Sequence, residues 1–222
     1  MKLARHTIPL VADVVIDDMV REAFRPFDLD PDIPTEFFPF QKPSDIPESF
    51  TIGVIVGGSG TGKSTLLNEF GQYISPAWAS NLPIVSHFAT VEDARECLHA
   101  VGLNSIPIWR LPYYALSNGQ KFRADLARSL YDGSVIDEYT SVVDRSVAIS
   151  ASKSLRNHLD RSGVRNIVIS TCHRDVLDWL QPDWVIDTDS GEYMLDYTVS
   201  RPKWWMEYLK EDKSVGRILL TR

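Results

Sequence analysis

The residues best suited to chemistry are Gly57, Gly58, Ser59, Gly60, Thr61, Gly62, Lys63, Ser64 and Thr65, whose first eight fit G-x-x-x-x-G-K-[ST] at every fixed position. Glycines at these spacings let successive backbone N–H groups turn toward one point and cradle an anion. A helix beginning there adds partial positive charge. Lys63 can reach the outer phosphates of a nucleotide, and the Ser64 hydroxyl can ligate magnesium. A glycine-rich turn that binds nothing is the plainer alternative, and the flanking pattern argues against it. Thr51–Val56 reads as a buried strand, and Ser64–Ile74 carries Leu66, Leu67, Phe70 and Ile74 at helical spacing.

A second chemistry-bearing pair, Asp137-Glu138, closes the short apolar strand expected at Ser134–Ile136. Ligands collect beyond the carboxyl ends of strands in open α/β sheets, so the pair can lie beside the glycine loop despite the distance in sequence. Asp137 would then hold the metal, and Glu138 would orient and deprotonate an attacking water. Two acids after an apolar strand also make an ordinary solvated loop, and the pair alone leaves both readings open.

The elements that must position these groups follow an alternating order. A strand is expected at Pro83–Ser86. Val91, Ala94, Leu98 and Val101 mark an amphipathic helix, and Phe122, Leu126 and Leu130 mark another. Val147, Ala151, Leu155 and Leu159 mark a third, Asn166–Ser170 a strand, and Val185–Asp187 with Tyr193–Leu195 a hairpin. This βα alternation predicts an α/β fold with a mostly parallel sheet flanked by helices. Residues 1–50 differ in texture, with acids outnumbering bases ten to five and six prolines between Pro26 and Pro47. They read as a lead-in packing on the core, with an edge strand in Thr7–Ile16. Any of Phe24, Phe27, Phe37, Phe38 and Phe40 could cover the core or stack on a base.

Composition narrows the class. A chain of 222 residues with 44% hydrophobic and 24% charged content folds around one sizeable core. A net charge of −7 opposes nonspecific nucleic-acid binding by the whole surface. Two cysteines, Cys97 and Cys172, have no metal or disulfide spacing and fit a reducing, cytoplasmic compartment. No apolar run approaches the ~18 residues of a membrane span, and no apolar signal core follows Met1–Arg5.

Four motifs in order, Gly57–Ser64, Leu116-Ser-Asn-Gly-Gln120 with its following Ala127-Arg-Ser-Leu130, Ile136-Asp-Glu-Tyr-Thr-Ser-Val-Val-Asp144, and His173 after a strand, resemble those of the ATP-binding-cassette (ABC) ATPases. The resemblance covers about Gly53 to Asp187. It implies a P-loop NTPase fold of ABC type over 51–199, and the short interval between loop and signature implies a reduced helical subdomain. It further implies ATP and Mg2+ bound by Gly57–Thr65, with Ser64 and Asp137 on the metal, Glu138 and Lys63 catalytic, and His173 sensing the γ-phosphate. Ser117 and Gly119 would close the site of a second copy in an ATP-driven homodimer, and Asp144 would link the two sites.

The chain departs from that family at Asn118, at Tyr139 in place of a proline, and at the Q-loop, where only His87 offers a substitute. The short interval and Ser86-His-Phe88 look most like soluble members found beside acetyltransferase-like domains in phage and mobile elements. The tail 200–222 holds six bases against three acids, with Trp204, Trp205 and Tyr208 between them. It could bind nucleic acid, dock a partner or pack on its own domain. Three functions compete: a soluble ATPase switching a protein or nucleic-acid partner, such as one in DNA modification or repair; the nucleotide-binding subunit of a transporter; and a P-loop kinase of small molecules.

Overall fold

A computed structural model describes residues 1–11, 14–33 and 36–197, so the basic tail expected at 200–222 lies outside the described residues. In chain order the elements are β1 (Leu10–Val11), α1 (Asp18–Phe24), β2 (Glu36–Phe37), β3 (Ile52–Val56), α2 (Lys63–Leu67), α3 (Val91–Ala100) and α4 (Ile106–Trp109). Then come α5 (Asn118–Arg128), β4 (Val135–Ile136), α6 (Arg145–Ser162), β5 (Ile167–Thr171), α7 (Leu177–Leu180), β6 (Trp184–Asp187) and β7 (Glu192–Leu195). The main sheet has the order β4-β5-β3-β6-β7, parallel except for the β6–β7 hairpin at one edge.

The central strands β3 and β5 are buried on both faces, which is why they read as continuous apolar runs rather than alternating ones. Ile52, Val54 and Val56 face a core built with α3, α5, α6 and α7, while Ile55, Leu66, Leu67 and Trp184 form a second core on the other side. Trp184 fits only because residue 53 is glycine: a Cβ there would come within 1.9 Å of the indole. Phe50 and Phe70 close on the same indole at ring centroid distances of 5.2 Å. Truncating so enclosed a side chain to alanine costs ~3–5 kcal/mol.

Helix ends follow local chemistry. Asp144 Oδ1 accepts from the Val147 N–H at 3.0 Å and caps α6, and Gly163 at φ +76° terminates it. Ser117 and Gln120 form a reciprocal capping box at the start of α5. The Ser-x-x-Gln spacing of the signature therefore also starts a helix.

Three expectations need correction. Pro83–Ser86 is not a strand: Ile84–His87 is a 3-10 turn, and proline-lacking-donor chemistry leaves only an isolated bridge between Pro83 and Pro112. The helix expected over Ser64–Ile74 stops at Leu67 and turns through Phe70, because Gly71 then passes close to Val135. Among the described residues of the expected strand Thr7–Ile16, only Leu10 and Val11 pair, with Phe37 and Glu36, before Asp17 caps α1 through the Val20 N–H.

Candidate nucleotide site

Beyond Val56 the chain leaves the sheet as a glycine loop held by the end of β6. Thr188 donates to Val56 O at 3.1 Å and shares a hydrogen bond of 2.7 Å with Thr61, and a Cβ on Gly57 would sit 2.1 Å from the Thr188 hydroxyl. Gly62, at φ +90°, turns the chain into α2, and its bare Cα lies under Phe37, whose Cζ would be 2.6 Å from an added Cβ. Since α2 has only five residues, its dipole is weaker than a long helix would supply, and the loop N–H groups with Lys63 dominate the site's positive potential. The Lys63 ammonium donates to Gly58 O at 2.6 Å, folded back on its own loop.

Asp189 meets the loop from β6. Its carboxylate accepts from Gly58 N–H at 2.9 Å and from Arg174 at 2.6 Å, and Arg174 is also gripped by both oxygens of Asp187. Burial pushes the Asp189 carboxyl up, but Gly58, Arg174 and Lys63 outweigh it and hold it below the ordinary range.

At the end of β4, Asp137 Oδ1 accepts from the Ser170 hydroxyl of the neighbouring strand and from Glu138 N–H at 2.9 Å. Glu138 and Thr140 are both left-handed, at φ +50° and +67°, a backbone that non-glycine residues rarely adopt. Between them Tyr139 turns fully inward, its hydroxyl 3.0 Å from Ser152. Thr140 donates to Tyr139 O at 2.6 Å, so its oxygen accepts from His173 Nδ1 at 3.0 Å and leaves the lone pair on Nε2. Burial, then Arg145, depresses the His173 pKa and favours the neutral ring.

A cavity of about 350 Å³ brings together Ser59, Gly60, Gly62, Lys63, Ser64, Thr65 and Glu138, with Phe37, Ser141 and Cys172 completing its wall. Asp137 lines an adjoining cavity of about 520 Å³, beneath Asn118 and Lys121 of α5, and Glu138 and Ser141 border both. His173, one residue past Cys172, faces Thr140 and lines neither of these two cavities. Ser117 and Gly119 begin α5 and do not reach the loop cavity of their own chain. His87 accepts from Ala79 N–H at 2.9 Å and packs against Trp78, pinning a loop away from both cavities.

Sequence reasoning did not separate Phe37 from its four neighbouring phenylalanines, and it missed Ser170 and Asp189. Ser170 was findable as the β5 residue beside the end of β4, and Asp189 as a polar residue just past β6.

A glycine loop after the central strand, a carboxylate pair at the end of β4 and helices on both faces of a mostly parallel sheet define a P-loop NTPase fold of the ATP-binding-cassette type. The chain is similar in structure to the dimeric MJ0796, described as a bacterial ABC transporter cassette, with a TM-score of 0.53 and 14% identity over 84% of this chain and 94% of that one. It is likewise similar to a dimeric post-hydrolysis state of MJ0796 bound to ADP and Pi, with a TM-score of 0.55 and 15% identity over 88% and 98%. No protein-family model and no curated protein matches the chain.

Proposed function

We propose that the chain is an ATPase that binds ATP with Mg2+ in the loop cavity and hydrolyses it between two copies of itself. The observation that carries this reading is Glu138, held in a left-handed backbone on the wall that also carries Lys63 and Ser64. Backbone strain of this kind costs ~1–3 kcal/mol and concentrates at functional sites.

The donors fit magnesium. Among the described residues there is no cluster of three or more His, Cys, Asp or Glu to cage an ion. Magnesium is instead commonly held by one or two protein oxygens together with substrate phosphates; Ser64 in the loop cavity, and Asp137 in the adjoining cavity that Glu138 also borders, would supply such oxygens. The ion would polarise the phosphate oxygens and neutralise their charge. Lys63 must swing from Gly58 O to the phosphates, an exchange of one charge-assisted hydrogen bond for a stronger one. Glu138 then orients a water and accepts its proton as the oxygen attacks the terminal phosphorus, whose bond to the bridging oxygen of the β-phosphate breaks, so that ADP leaves and inorganic phosphate is formed. His173 can sense that phosphate once Nε2 becomes a donor, either by protonation or by rotation of the Thr140 hydroxyl. Ser117 and Gly119, which do not line the loop cavity of their own chain, would close that of a second copy. The dimeric state of both structural neighbours supports that arrangement.

A second reading, phosphoryl transfer to a small hydroxyl compound, has the adjoining cavity in its favour, since Glu138 borders it as well. The neighbours lend nothing to an acetyltransferase-like partner, a phage setting or a role on DNA. Glu138→Gln should lower hydrolysis by about 10²–10⁴ while keeping ATP binding, and should trap an ATP-dependent dimer visible by light scattering. Unchanged hydrolysis, or a monomer at saturating ATP, refutes the proposal. Ser117→Asn preserves the helix cap, so full turnover in that variant would favour the transferase reading.

A further inference from the structure

Asp189 lines neither of the two cavities and meets the glycine loop from outside. Gly58, whose N–H it accepts at 2.9 Å, does not line the loop cavity either, so this N–H is given to the protein and not to a phosphate. The Gly58 carbonyl is gripped separately, by the Lys63 ammonium at 2.6 Å and the Thr61 hydroxyl at 2.9 Å. Of these three holds, ATP binding removes one, because Lys63 leaves for the phosphates. Thr61 and Asp189 then keep residue 58 in place, and the bond from Asp189 is the charge-assisted one.

The hold continues beyond the loop. Arg174 grips both oxygens of Asp187, at 2.9 and 3.0 Å, and Asp189 at 2.6 Å, while the Asp189 and Ser190 N–H groups close on Asp187 Oδ1. Arg174 directly follows His173, whose N–H donates to Thr171 Oγ1 at 3.0 Å. On its other side Asp175 is buried and paired with Arg145 at the start of α6. The turn that carries the candidate sensor is therefore tied to the glycine loop through Arg174 and Asp189. Resting on the nucleotide reading above, we infer that Asp189 is a positioning residue of the glycine loop, and that Arg174 joins it to the turn carrying His173, so that loop and sensor are set together. Charge and geometry oppose each other at Asp189. A carboxylate beside a polyanion site repels the ligand, so through charge alone Asp189→Ala would tighten phosphate binding. Through the lost hold the same change loosens it, because Gly58 keeps only Thr61 once Lys63 departs.

The test measures binding of ATP and of inorganic tripolyphosphate, each with Mg2+, by titration calorimetry on the full chain, together with urea midpoints and steady-state hydrolysis. Asp189→Ala should weaken both ligands about tenfold. Asp189→Asn, which keeps an oxygen for the Gly58 N–H, should stay within about twofold of the parent. Both variants give up the ion pair with Arg174, so their urea midpoints should move alike and only their affinities should differ. Arg174→Lys keeps the charge but not the fork, and at saturating ATP it should lower kcat about tenfold or more. In a His173→Ala background the same substitution should change kcat by less than about twofold. Ligands bound as tightly, or more tightly, by Asp189→Ala overturn the inference and leave the nucleotide reading standing. An Asn variant as weak as the Ala one overturns it too, as do additive losses for Arg174→Lys and His173→Ala. A parent that binds neither ligand ends the nucleotide reading and the inference together.

Discussion

Phe37→Ala should separate recognition of the base from recognition of the phosphates. The ring is half-buried, stands on Gly62 and shares a cavity wall with Lys63, so it is placed to contact the organic part of a nucleotide whose phosphates lie in the loop. Base–aromatic stacking contributes ~1–3 kcal/mol by alanine substitution, which corresponds to about 5- to 150-fold in dissociation constant. Inorganic tripolyphosphate, having no base, meets only the loop N–H groups, Lys63 and Ser64, and its affinity should change by no more than about twofold. Titration calorimetry with both ligands, at fixed magnesium and ionic strength, gives the two ratios. Phe37→Trp should retain the ATP affinity and Phe37→Leu should fall between. Equal weakening of ATP and tripolyphosphate would show that Phe37 supports the loop through Gly62 and contacts no base. An unchanged ATP affinity would remove it from the site altogether.

Two further outcomes concern stability. Tyr139→Phe loses one buried hydrogen bond, while Ser152 keeps its own bond to Ala148 O at 2.8 Å, so the cost should be about 1 kcal/mol in urea unfolding. Tyr139→Pro should cost ~3–5 kcal/mol, because it removes a fully buried aromatic and the N–H that donates to Ser170 O at 2.8 Å; a wild-type midpoint there would contradict the structure. Burial depresses the pKa of His158, against a smaller opposing pull from Glu96, and depresses that of His173, aided by Arg145. For both, the folded pKa lies below the unfolded value of ~6.5, so below that pH the unfolded chain binds more protons. Their stabilisation is present above pH ~6.5 and is lost as pH falls, by at most ~1.4 kcal/mol per pH unit for each. Urea midpoints between pH 7.5 and 5.5 should show that slope, and a His158→Gln protein with the parent slope would refute the assignment.

The parts legible in the sequence were those specified locally. Gly57–Ser64, the buried runs of β3 and β5, the stripes of α3, α5 and α6, and the β6–β7 turn each carry their signal within a few residues. What was not legible depended on distant partners. Nothing within Ser64–Ile74 says that Gly71 must pass close to Val135, and so the helix looked twice its length. Pro83–Ser86 has strand composition, but a strand needs a ladder, and two prolines facing each other offer one bridge. Phe37 looks like its four neighbours until the fold sets it over a glycine twenty-five positions on.

The corner at Glu138 shows how the core holds the chemistry in place. Two left-handed residues in three would cost ~2–6 kcal/mol together if nothing opposed them. Tyr139, fully buried between them and bonded to Ser152 on α6, anchors the turn from the inside, and its N–H continues the sheet through Ser170 O. With Tyr139 drawn inward, the flanking side chains must point elsewhere: Glu138 to the loop cavity and Thr140 to His173. The same Ser170 also donates to Asp137, so one residue of β5 fixes the backbone of the corner and one carboxylate of the pair. A proline at 139 could not make the Ser170 contact or fill the space beside Ser152. This chain therefore holds its carboxylates by a buried tyrosine, where the resembling family uses a proline.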